Sequence, residues 1–477
     1  MKKILILFLG LLINFVIFAH PWKPSNYVIV DTDGGINDLM AISMLLASPD
    51  IRVMAVTVSP GMLKTSTAYI KVKSLLNSYH HEGLPVGINR NCNFKSEQFP
   101  LALNTEWGEE YGLDFKNAPD CIQLINEILS MEKTKVSFIC LGGMSTASIA
   151  LQTIPAFRNQ VKEIIWSNTS LDYKEGFNYK VDPLSAEYVL KGDIPVRGIR
   201  SLGKEIFYTE EMIKAISEVP TIYAKRIIEY FNSDVAKNTA LSYLNIDEMV
   251  VLYLHNPEIF LTDTIASYFE SSSGNFPVLR ELSLKILAGQ TVTKNQVIKE
   301  FPVAPSFYSP DVESSVTEII NKYGIDEWTS GVIANELHRH LGVFAIVGVK
   351  MGIRAREYFD TGVDEFKVTS FAGSKPPLSC MNDGIQVSTG ATPGHGLLTV
   401  SSDTVTLPMA EFTYLNHKIR LTLKPEIAQK ISKELEEINF INGLDGNIYW
   451  ELVRKNSIKY WLNLDRHDIF IIEEISG

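Results

Sequence analysis

Cysteine is scarce in this chain, whose 477 residues include four: Cys92, Cys121, Cys140 and Cys380. Their wide spacing is unlike that of a small domain held together by disulfides. Basic residues are also in deficit, since 44 Lys and Arg face 55 Asp and Glu, for a net charge of −11. This balance argues against a nucleic-acid partner, because phosphate binding requires a basic surface. The chain also lacks a long run of like charges, a low-complexity tract and a repeat of fixed period.

A long apolar run is present only at the start of the chain. The basic residues of 1–3 precede the apolar segment 4–19, and a proline-containing segment, 20–24, ends it. This pattern predicts a signal peptide over 1–19 and a mature protein that is periplasmic or secreted, without stable membrane insertion after cleavage. An uncleaved anchor is the alternative, since the run is just under spanning length. No cysteine directly follows the run, so cleavage as a lipoprotein is not indicated.

The length predicts two or three domains, and the first part of the chain alternates between strand and helix patterns. Strands are predicted at 27–31, 52–58, 136–141, 163–166 and 194–198, and helices are predicted to begin at residues 38, 65, 121, 145 and 183. Such alternation predicts an α/β fold, a mainly parallel sheet with helices on both faces. The segment 271–275 is rich in serine and is predicted to be a loop.

The turn after the first predicted strand carries the densest chemistry in the chain. Asp31, Asp33, Asn37 and Asp38 lie on a turn that contains two adjacent glycines. Ligand sites in α/β sheets lie beyond the carboxyl ends of the strands, where this turn falls. Clustered carboxylate oxygens suit a hard cation such as Ca²⁺ or Mg²⁺. The alternative is a set of solvated acids that cap the following helix.

These residues resemble the signature D-x-D-x-G-x-D-D of the inosine–uridine nucleoside hydrolase family. Further matches follow in the family's order at 141–146, 176–186, 247–249 and 253–260, so that the likeness covers residues 27 to about 262. The resemblance implies a nucleoside-hydrolase-like domain over about 20–315. It also implies a homo-oligomer that acts on a nucleoside or sugar.

The resemblance implies a role for each matching residue. Asp33, Asp38, Asp247 and the main-chain carbonyl of Leu141 would hold Ca²⁺, and Asp33 would be the general base that activates the attacking water. Asp31 would orient its neighbours by hydrogen bonds. Catalysis is assigned to Asp33, Asn37 and Asn178, and substrate binding to Asn37, Asn168, Glu175 and Asn178. The implied reaction is hydrolysis of an N-glycosidic bond.

Several positions depart from the family pattern. Asn37 replaces an aspartate, Gly176 replaces a glutamate for which the adjacent Glu175 could substitute, and Ile246 stands where many members have a histidine. These changes favour an altered sugar substrate, or a domain that binds without turnover. The Asp-x-Asp-Gly start also resembles the haloacid dehalogenase motif, but Gly35 occupies the position where that family has threonine.

A second α+β domain is predicted over about 325–477, after a boundary between 300 and 330. His338 and His340, together with Cys380 and Asp383 on a later loop, form a plausible transition-metal site; two ordinary histidines are the alternative. These segments resemble the E-type subunit family of formylmethanofuran dehydrogenase over roughly 334–425. Gly342 and Ala391 replace two of the pattern's three cysteines. A mixed site for Zn²⁺ or another transition metal, or an emptied pocket, is therefore expected.

The sequence thus predicts a secreted or periplasmic Ca²⁺-dependent hydrolase of a ribonucleoside or a related N-glycoside. The alternative is a non-catalytic, metal-dependent nucleoside- or sugar-binding protein.

Overall fold

The computed structural model describes residues 24–475, with gaps at 93, 97, 168–171, 202–206, 238–246, 266–267, 274, 291–300, 403–404 and 444–446. The predicted signal peptide, Asn168 and Ile246 lie outside the described residues. Within them, no helix combines the length and the apolar character that crossing a bilayer requires.

An eight-stranded sheet organises the first part of the chain, in the order β3-β2-β1-β4-β5-β6-β8-β7. Its strands are β1 (Asn26–Thr32), β2 (Ile51–Val58), β3 (Val86–Ile88), β4 (Val136–Cys140), β5 (Val161–Ser167), β6 (Val196–Ser201), β7 (Leu261–Ile265) and β8 (Tyr268–Ser273). All neighbours run parallel except β7, which is antiparallel to β8. The predicted α/β fold with a mainly parallel sheet is therefore confirmed.

Helices cover both faces of this sheet, which is why every residue of β2 is buried and its apolar run is nearly continuous. They are α1 (Ile36–Ala47), α2 (Thr65–Ser78), α3 (Pro100–Asn104), α4 (Cys121–Met131), α5 (Ser145–Thr153), α6 (Pro155–Gln160), α7 (Phe177–Val181), α8 (Pro183–Leu190), α9 (Glu210–Ser217), α10 (Ile222–Asn232), α11 (Asp234–Lys237), α12 (Asp247–His255) and α13 (Phe276–Leu287). Short 3₁₀ turns occupy Tyr173–Glu175 and Pro257–Ile259. The apolar helix α1 packs against α12.

The predicted strands all form, with ends that shift by up to three residues, and four of the five predicted helix starts are confirmed to the residue. The first helix begins at Ile36, two residues before the prediction. The loop predicted at 271–275 is wrong for 271–273, which form the end of β8. Serine favours turns, but parallel pairing with β6 satisfies this backbone and overrides the local preference.

A second, five-stranded sheet follows in the order β10-β9-β11-β12-β13. Its strands are β9 (Lys367–Ser370), β10 (Leu398–Val400), β11 (Met409–Tyr414), β12 (His417–Leu423) and β13 (Phe470–Ile475). The accompanying helices are α14 (Pro310–Glu313), α15 (Val316–Tyr323), α16 (Ile325–His338), α17 (Val343–Phe359), α18 (Met381–Thr389), α19 (Pro425–Asn442) and α20 (Asn447–Asn463), with 3₁₀ turns at Pro305–Phe307 and Leu378–Cys380. This mixed unit confirms the predicted α+β class.

The second unit contacts the first sheet at the amino ends of its strands. Arg52, at the start of β2, pairs with Glu365 at 2.9 Å. Just before β3, the amide of Gly83 donates to the carbonyl of Tyr358 at 2.8 Å. Because parallel strands share their direction, the carboxylates at the end of β1 lie at the opposite edge of the sheet from this contact.

Candidate functional site

The turn between β1 and α1 folds the predicted acids into a buried cluster. Asp31, Asp33 and Asp38 are at most 4% exposed. One oxygen of Asp38 accepts the hydroxyl of Thr32 at 2.6 Å and the amide of Asp33 at 3.0 Å. Gly34 has φ of +81°, a value that strains other residues, and its amide donates to the Thr32 hydroxyl at 3.0 Å. Local hydrogen bonds thus hold the acidic turn.

Asp247 joins this cluster from a distant part of the chain, because it begins α12, which packs on α1. Burial and then the charge of Asp38 raise the pKa of Asp247 well above its usual value, and the Ser167 hydroxyl opposes the shift. Burial and then Asp38 likewise raise the pKa of Asp33, against the amides of Met62 and Gly35. The fold therefore crowds like charges in a site from which water is largely excluded.

The loop after β4 brings main-chain oxygen to the same place. The amide of Leu141 donates to the carbonyl of Asp31 at 2.9 Å. The Leu141 carbonyl accepts the side-chain amide of Asn178 at 2.7 Å, and that amide also donates to the carbonyl of Ser167 at 3.1 Å. A Cβ at Gly142 would lie 3.1 Å from Asp33, so the glycine allows the loop to approach the acid. Asn178 therefore braces the loop through its nitrogen.

The other predicted substrate contacts are placed differently. Asn37 lies half-buried on the first turn of α1, beside the cluster. Glu175 points to solvent with a 69% exposed side chain and pairs with Lys180 at 2.8 Å. Gly176, which follows it, has no side chain to take its place. The structure therefore leaves Glu175 away from the buried acids.

The donor chemistry of this cluster fits a hard cation. Three buried carboxylates and one carbonyl are oxygen ligands of the kind that Ca²⁺ takes, and a divalent cation would offset their mutual repulsion. As the side chains stand, no three His, Cys, Asp or Glu groups anywhere in the described part of the chain are arranged to hold a metal ion. In particular, Asp38 turns one oxygen toward Thr32 and the amide of Asp33.

The second predicted site brings together three of its four residues. Nδ1 of His338 lies 2.6 Å from Asp383 Oδ2, and the rings of His338 and His340 are 4.1 Å apart between centroids. A Cβ at Gly342 would lie 3.4 Å from His340 Nε2 and 3.5 Å from His338 Nε2. A cysteine at position 342 would thus point toward both imidazoles, and glycine leaves that space without a thiolate.

Cys380, the remaining residue of the second site, is part of the second hydrophobic core. Burial and then the nearby Asp383 raise the pKa of its thiol to about 11. Cys380 is also the one cysteine left of the family pattern, since Gly342 and Ala391 stand where that pattern has two others. The residues present do not fit a thiolate-rich centre.

Comparison with known families decides the class of the first unit. Residues 28–318 match the family "Inosine-uridine preferring nucleoside hydrolase". The chain belongs to this nucleoside hydrolase family. Residues 337–441 match the family "FmdE, Molybdenum formylmethanofuran dehydrogenase operon". The predicted fusion of a nucleoside hydrolase domain with an FmdE-like domain is therefore confirmed.

Known relatives match between about half and two thirds of this chain. The inosine-uridine preferring nucleoside hydrolase of Crithidia fasciculata is 22% identical over 334 residues, 65% of this chain and 97% of the relative. Probable uridine nucleosidase 2 of Arabidopsis thaliana is 25% identical over 310 residues, 61% of this chain and 92% of the relative. The solved inosine-uridine preferring nucleoside hydrolase from Bacillus anthracis covers 55% of this chain and 99% of its own, with 14% identity and a TM-score of 0.45.

Sequence reasoning missed several groups that surround the acids of this nucleoside hydrolase domain. Thr57 and Ser59 donate their hydroxyls to the two oxygens of Asp31 at 2.6 and 2.8 Å. Burial still raises the pKa of Asp31 to about 7. Thr57 lies on β2 and Ser59 just past its end, and their spacing of two residues puts both hydroxyls on one side. The sequence carries this signal.

Glu248 was also missed. It is fully buried next to Asp247 and accepts the hydroxyl of Tyr208 at 2.8 Å. Burial raises its pKa to about 8, although the Tyr208 hydroxyl opposes the shift. No local pattern distinguishes Glu248 from a solvated acid in the first turn of a helix.

Proposed function

We propose that this protein hydrolyses the N-glycosidic bond of a ribonucleoside or a related N-glycoside, with Ca²⁺ in its first domain. The observation that carries the proposal is the cluster of Asp33, Asp38 and Asp247 beside the Leu141 carbonyl, buried at the carboxyl edge of the sheet. The mutual repulsion of these buried carboxylates supports the proposal, because a divalent cation bound among them would offset it.

Asp33, Asp38, Asp247 and the Leu141 carbonyl would hold the ion. When bound, Ca²⁺ makes a neighbouring water easier to deprotonate and attracts sugar hydroxyls. Asp33 accepts the proton of the attacking water, whose oxygen then bonds to the anomeric carbon. The bond to the base breaks, and its electron pair leaves with the base. Ile246 has no proton to give, so the leaving base takes one from another source.

Asn178 and Asn37 orient the sugar. Both donors of the Asn178 amide are committed to the carbonyls of Leu141 and Ser167, so its oxygen accepts hydroxyl protons from the substrate. The amide of Asn37 accepts a hydrogen bond without the charge of an aspartate, which makes that bond weaker. Asp31, held by Thr57 and Ser59, keeps the turn in place.

Sugar release from a panel of purine and pyrimidine nucleosides tests this function in the mature protein, with calcium content measured by elemental analysis. We expect release that is lost with a calcium chelator and in Asp38→Ala, which also loses calcium and thermal stability. Asp193→Ala, at an 88% exposed carboxylate, is the matched control. Release that persists in Asp38→Ala with unchanged calcium content contradicts the metal assignment.

A non-catalytic nucleoside- or sugar-binding protein is the second candidate, and the outward position of Glu175 favours it. Without that carboxylate the sugar loses one anchor that would orient it for attack, and the domain would then bind its ligand without turnover. Calorimetry separates the two candidates: calcium-dependent nucleoside binding without sugar release supports the binding protein.

The FmdE-like domain is proposed as a weak transition-metal site at His338 and His340, and no reaction step is assigned to it. Asp383 orients His338 from behind. Zinc content of the wild type and of His340→Ala tests the site, and a wild type without zinc makes it vestigial.

We also propose export, with residues 1–19 removed and the mature domains extending over about 20–315 and 325–477. Amino-terminal sequencing of the protein from a periplasmic fraction tests this. A protein that stays in the cytoplasm with an intact leader contradicts it.

A further inference from the structure

Asn89 follows β3 at the same edge of the sheet as the carboxylates and is 2% exposed. Its main-chain amide donates to the carbonyl of Val58 at 2.8 Å, at the end of β2. Its side-chain oxygen accepts the amide of Asn91 at 2.9 Å. The side-chain nitrogen therefore faces the other way and donates to the hydroxyl of Thr146 at 3.0 Å. These contacts fix both ends of the Asn89 amide.

Thr146 lies between Asn89 and Asp31. It is fully buried in the first turn of α5, and its hydroxyl lies close enough to the Asp31 carboxylate to lower the pKa of that acid. A hydroxyl has one proton, and since its oxygen accepts from Asn89, that proton is free to be donated to Asp31. Asp31 thus accepts the hydroxyls of Thr57 and Ser59, from β2 and its end, and the Thr146 hydroxyl of α5 lies on its remaining side.

We infer that Asn89 is a positioning residue for the hydrolysis, acting through the Thr146 hydroxyl on Asp31; this rests on the proposed function. Asp31 precedes Asp33 by two residues, and its carbonyl accepts the amide of Leu141 at 2.9 Å. A displacement of Asp31 therefore moves both the general base and a carbonyl of the calcium site. Through Val58 and Thr146, Asn89 connects the end of β2 with the helix that follows β4.

A double-mutant cycle on the full mature protein tests this inference. The four proteins are wild type, Asn89→Ala, Thr146→Val and the double variant, assayed for kcat and KM with the best nucleoside of the panel. We expect each single change to lower kcat about tenfold, the order of effect of one buried hydrogen bond, with KM changed less than about twofold. The kcat of the double variant should be no lower than that of Thr146→Val, because both substitutions interrupt the same path of contacts from Asn89 to Asp31.

Two further variants separate the loss of a hydrogen bond from a loss of packing. Thr146→Ser keeps the hydroxyl and should restore kcat, which a loss of packing alone would not predict. Asn91→Ala is the matched control, because this exposed asparagine in the same loop contacts Asn89 through its main-chain amide. Thermal denaturation of all variants confirms that each is folded.

An unchanged kcat in Asn89→Ala overturns the inference, and so does a double variant whose loss is the product of the two single losses. Calcium affinity of the same four proteins, measured by calorimetry, is the second readout and should show the same non-additivity. If the wild type binds calcium but releases no sugar, the proposed function fails and this affinity cycle decides the inference. A wild type that does neither overturns both.

Discussion

Burial sets the chemistry of the acids at the end of β1, and glycine makes that burial possible. A Cβ at Gly61 would lie 2.1 Å from Asp33 Oδ2, well inside contact distance. A Cβ at Gly142 would approach Asp33 from another loop at 3.1 Å. The position of Asp33, the proposed general base, therefore depends on two residues that have no functional group of their own.

Gly61→Ala should displace Asp33 and lower kcat by roughly 100-fold, since a shift of about 1 Å in a reacting group has that effect. Sugar release measures the change, and urea denaturation checks the fold. Gly394→Ala is the control, because its Cβ would meet only Thr392 Oγ1 at 3.7 Å. An unchanged kcat in a folded Gly61→Ala would mean that the reaction does not depend on the position of Asp33, which contradicts its assignment as the general base.

Glycine also decides how two helices of the FmdE-like domain meet. A Cβ at Gly348 of α17 would lie 2.1 Å from the carbonyl of Met381, and one at Gly384 of α18 would lie 2.0 Å from the carbonyl of Ala345. The helices are therefore in contact backbone to backbone. A glycine inside a helix costs about 1 kcal/mol relative to alanine, and the close packing offsets that cost.

Alanine normally stabilises a helix relative to glycine. Gly348→Ala should nevertheless lower the free energy of unfolding by about 1–3 kcal/mol, because the added methyl group overpacks the contact between the two helices. The free energy of unfolding in urea measures the effect, with Gly394→Ala again as control. An increase in stability would mean that the two helices separate at little cost.

At the scale of the whole molecule, buried charges join the two domains. Arg52 pairs with Glu365 at 2.9 Å, with side chains 5% and 10% exposed, and it also donates to the carbonyl of Asp360. Arg354 donates to Glu82 at 2.8 Å. Such an interface holds the FmdE-like domain at the amino edge of the sheet.

Arg52→Ala removes the partner of Glu365, whose side chain is 10% exposed. We expect the free energy of unfolding to fall by about 3–5 kcal/mol, because an unpaired charge stays in the interface. Calorimetry should show this loss, or a split into two unfolding transitions. Arg158→Ala breaks a pair of equal length, 2.9 Å, whose side chains are 42% and 88% exposed, and should lose less than about 1 kcal/mol. Equal effects of the two substitutions would mean that the interface charges contribute no more than surface ones.

Acid should weaken the same interface through His80, which stacks on His467 at 3.7 Å between centroids. Burial and then the charge of His467 lower the pKa of His80 to about 4; Arg354 acts in the same direction, and Glu357 and Glu82 oppose it. The unfolded chain binds this proton at higher pH than the folded one. The contribution of neutral His80 to the free energy of unfolding is therefore present above 6.5, the pKa in the unfolded chain. It is lost as the pH falls toward 4, the pKa in the folded protein.

His80→Phe keeps an aromatic ring that does not titrate, so its Tm should fall less than that of the wild type between about pH 7 and about pH 5. Thermal denaturation across this range measures the difference. An identical fall in both proteins would place the acid sensitivity in other groups.

What could be predicted from the sequence is what local pattern encodes. The strand-and-helix order follows from periodicity, and the acids of the first turn sit at a strand end because they follow an apolar run directly. The family resemblance added Asp247, which lies 209 positions beyond Asp38 (247 − 38). The brace that Asn178 makes to the Leu141 carbonyl, and the serine-rich end of β8, were not foreseen, since both depend on neighbours far along the chain.

By itself, the sequence determined the fold class, the family and the acids available for chemistry, because period, spacing and residue type are properties of short segments. Tertiary structure alone decided that Glu175 turns outward to Lys180, that Thr57, Ser59 and Thr146 surround Asp31, and that the second domain binds the amino edge. Those outcomes depend on which side chains meet across the sheet, and contacts between distant residues leave no period in the chain.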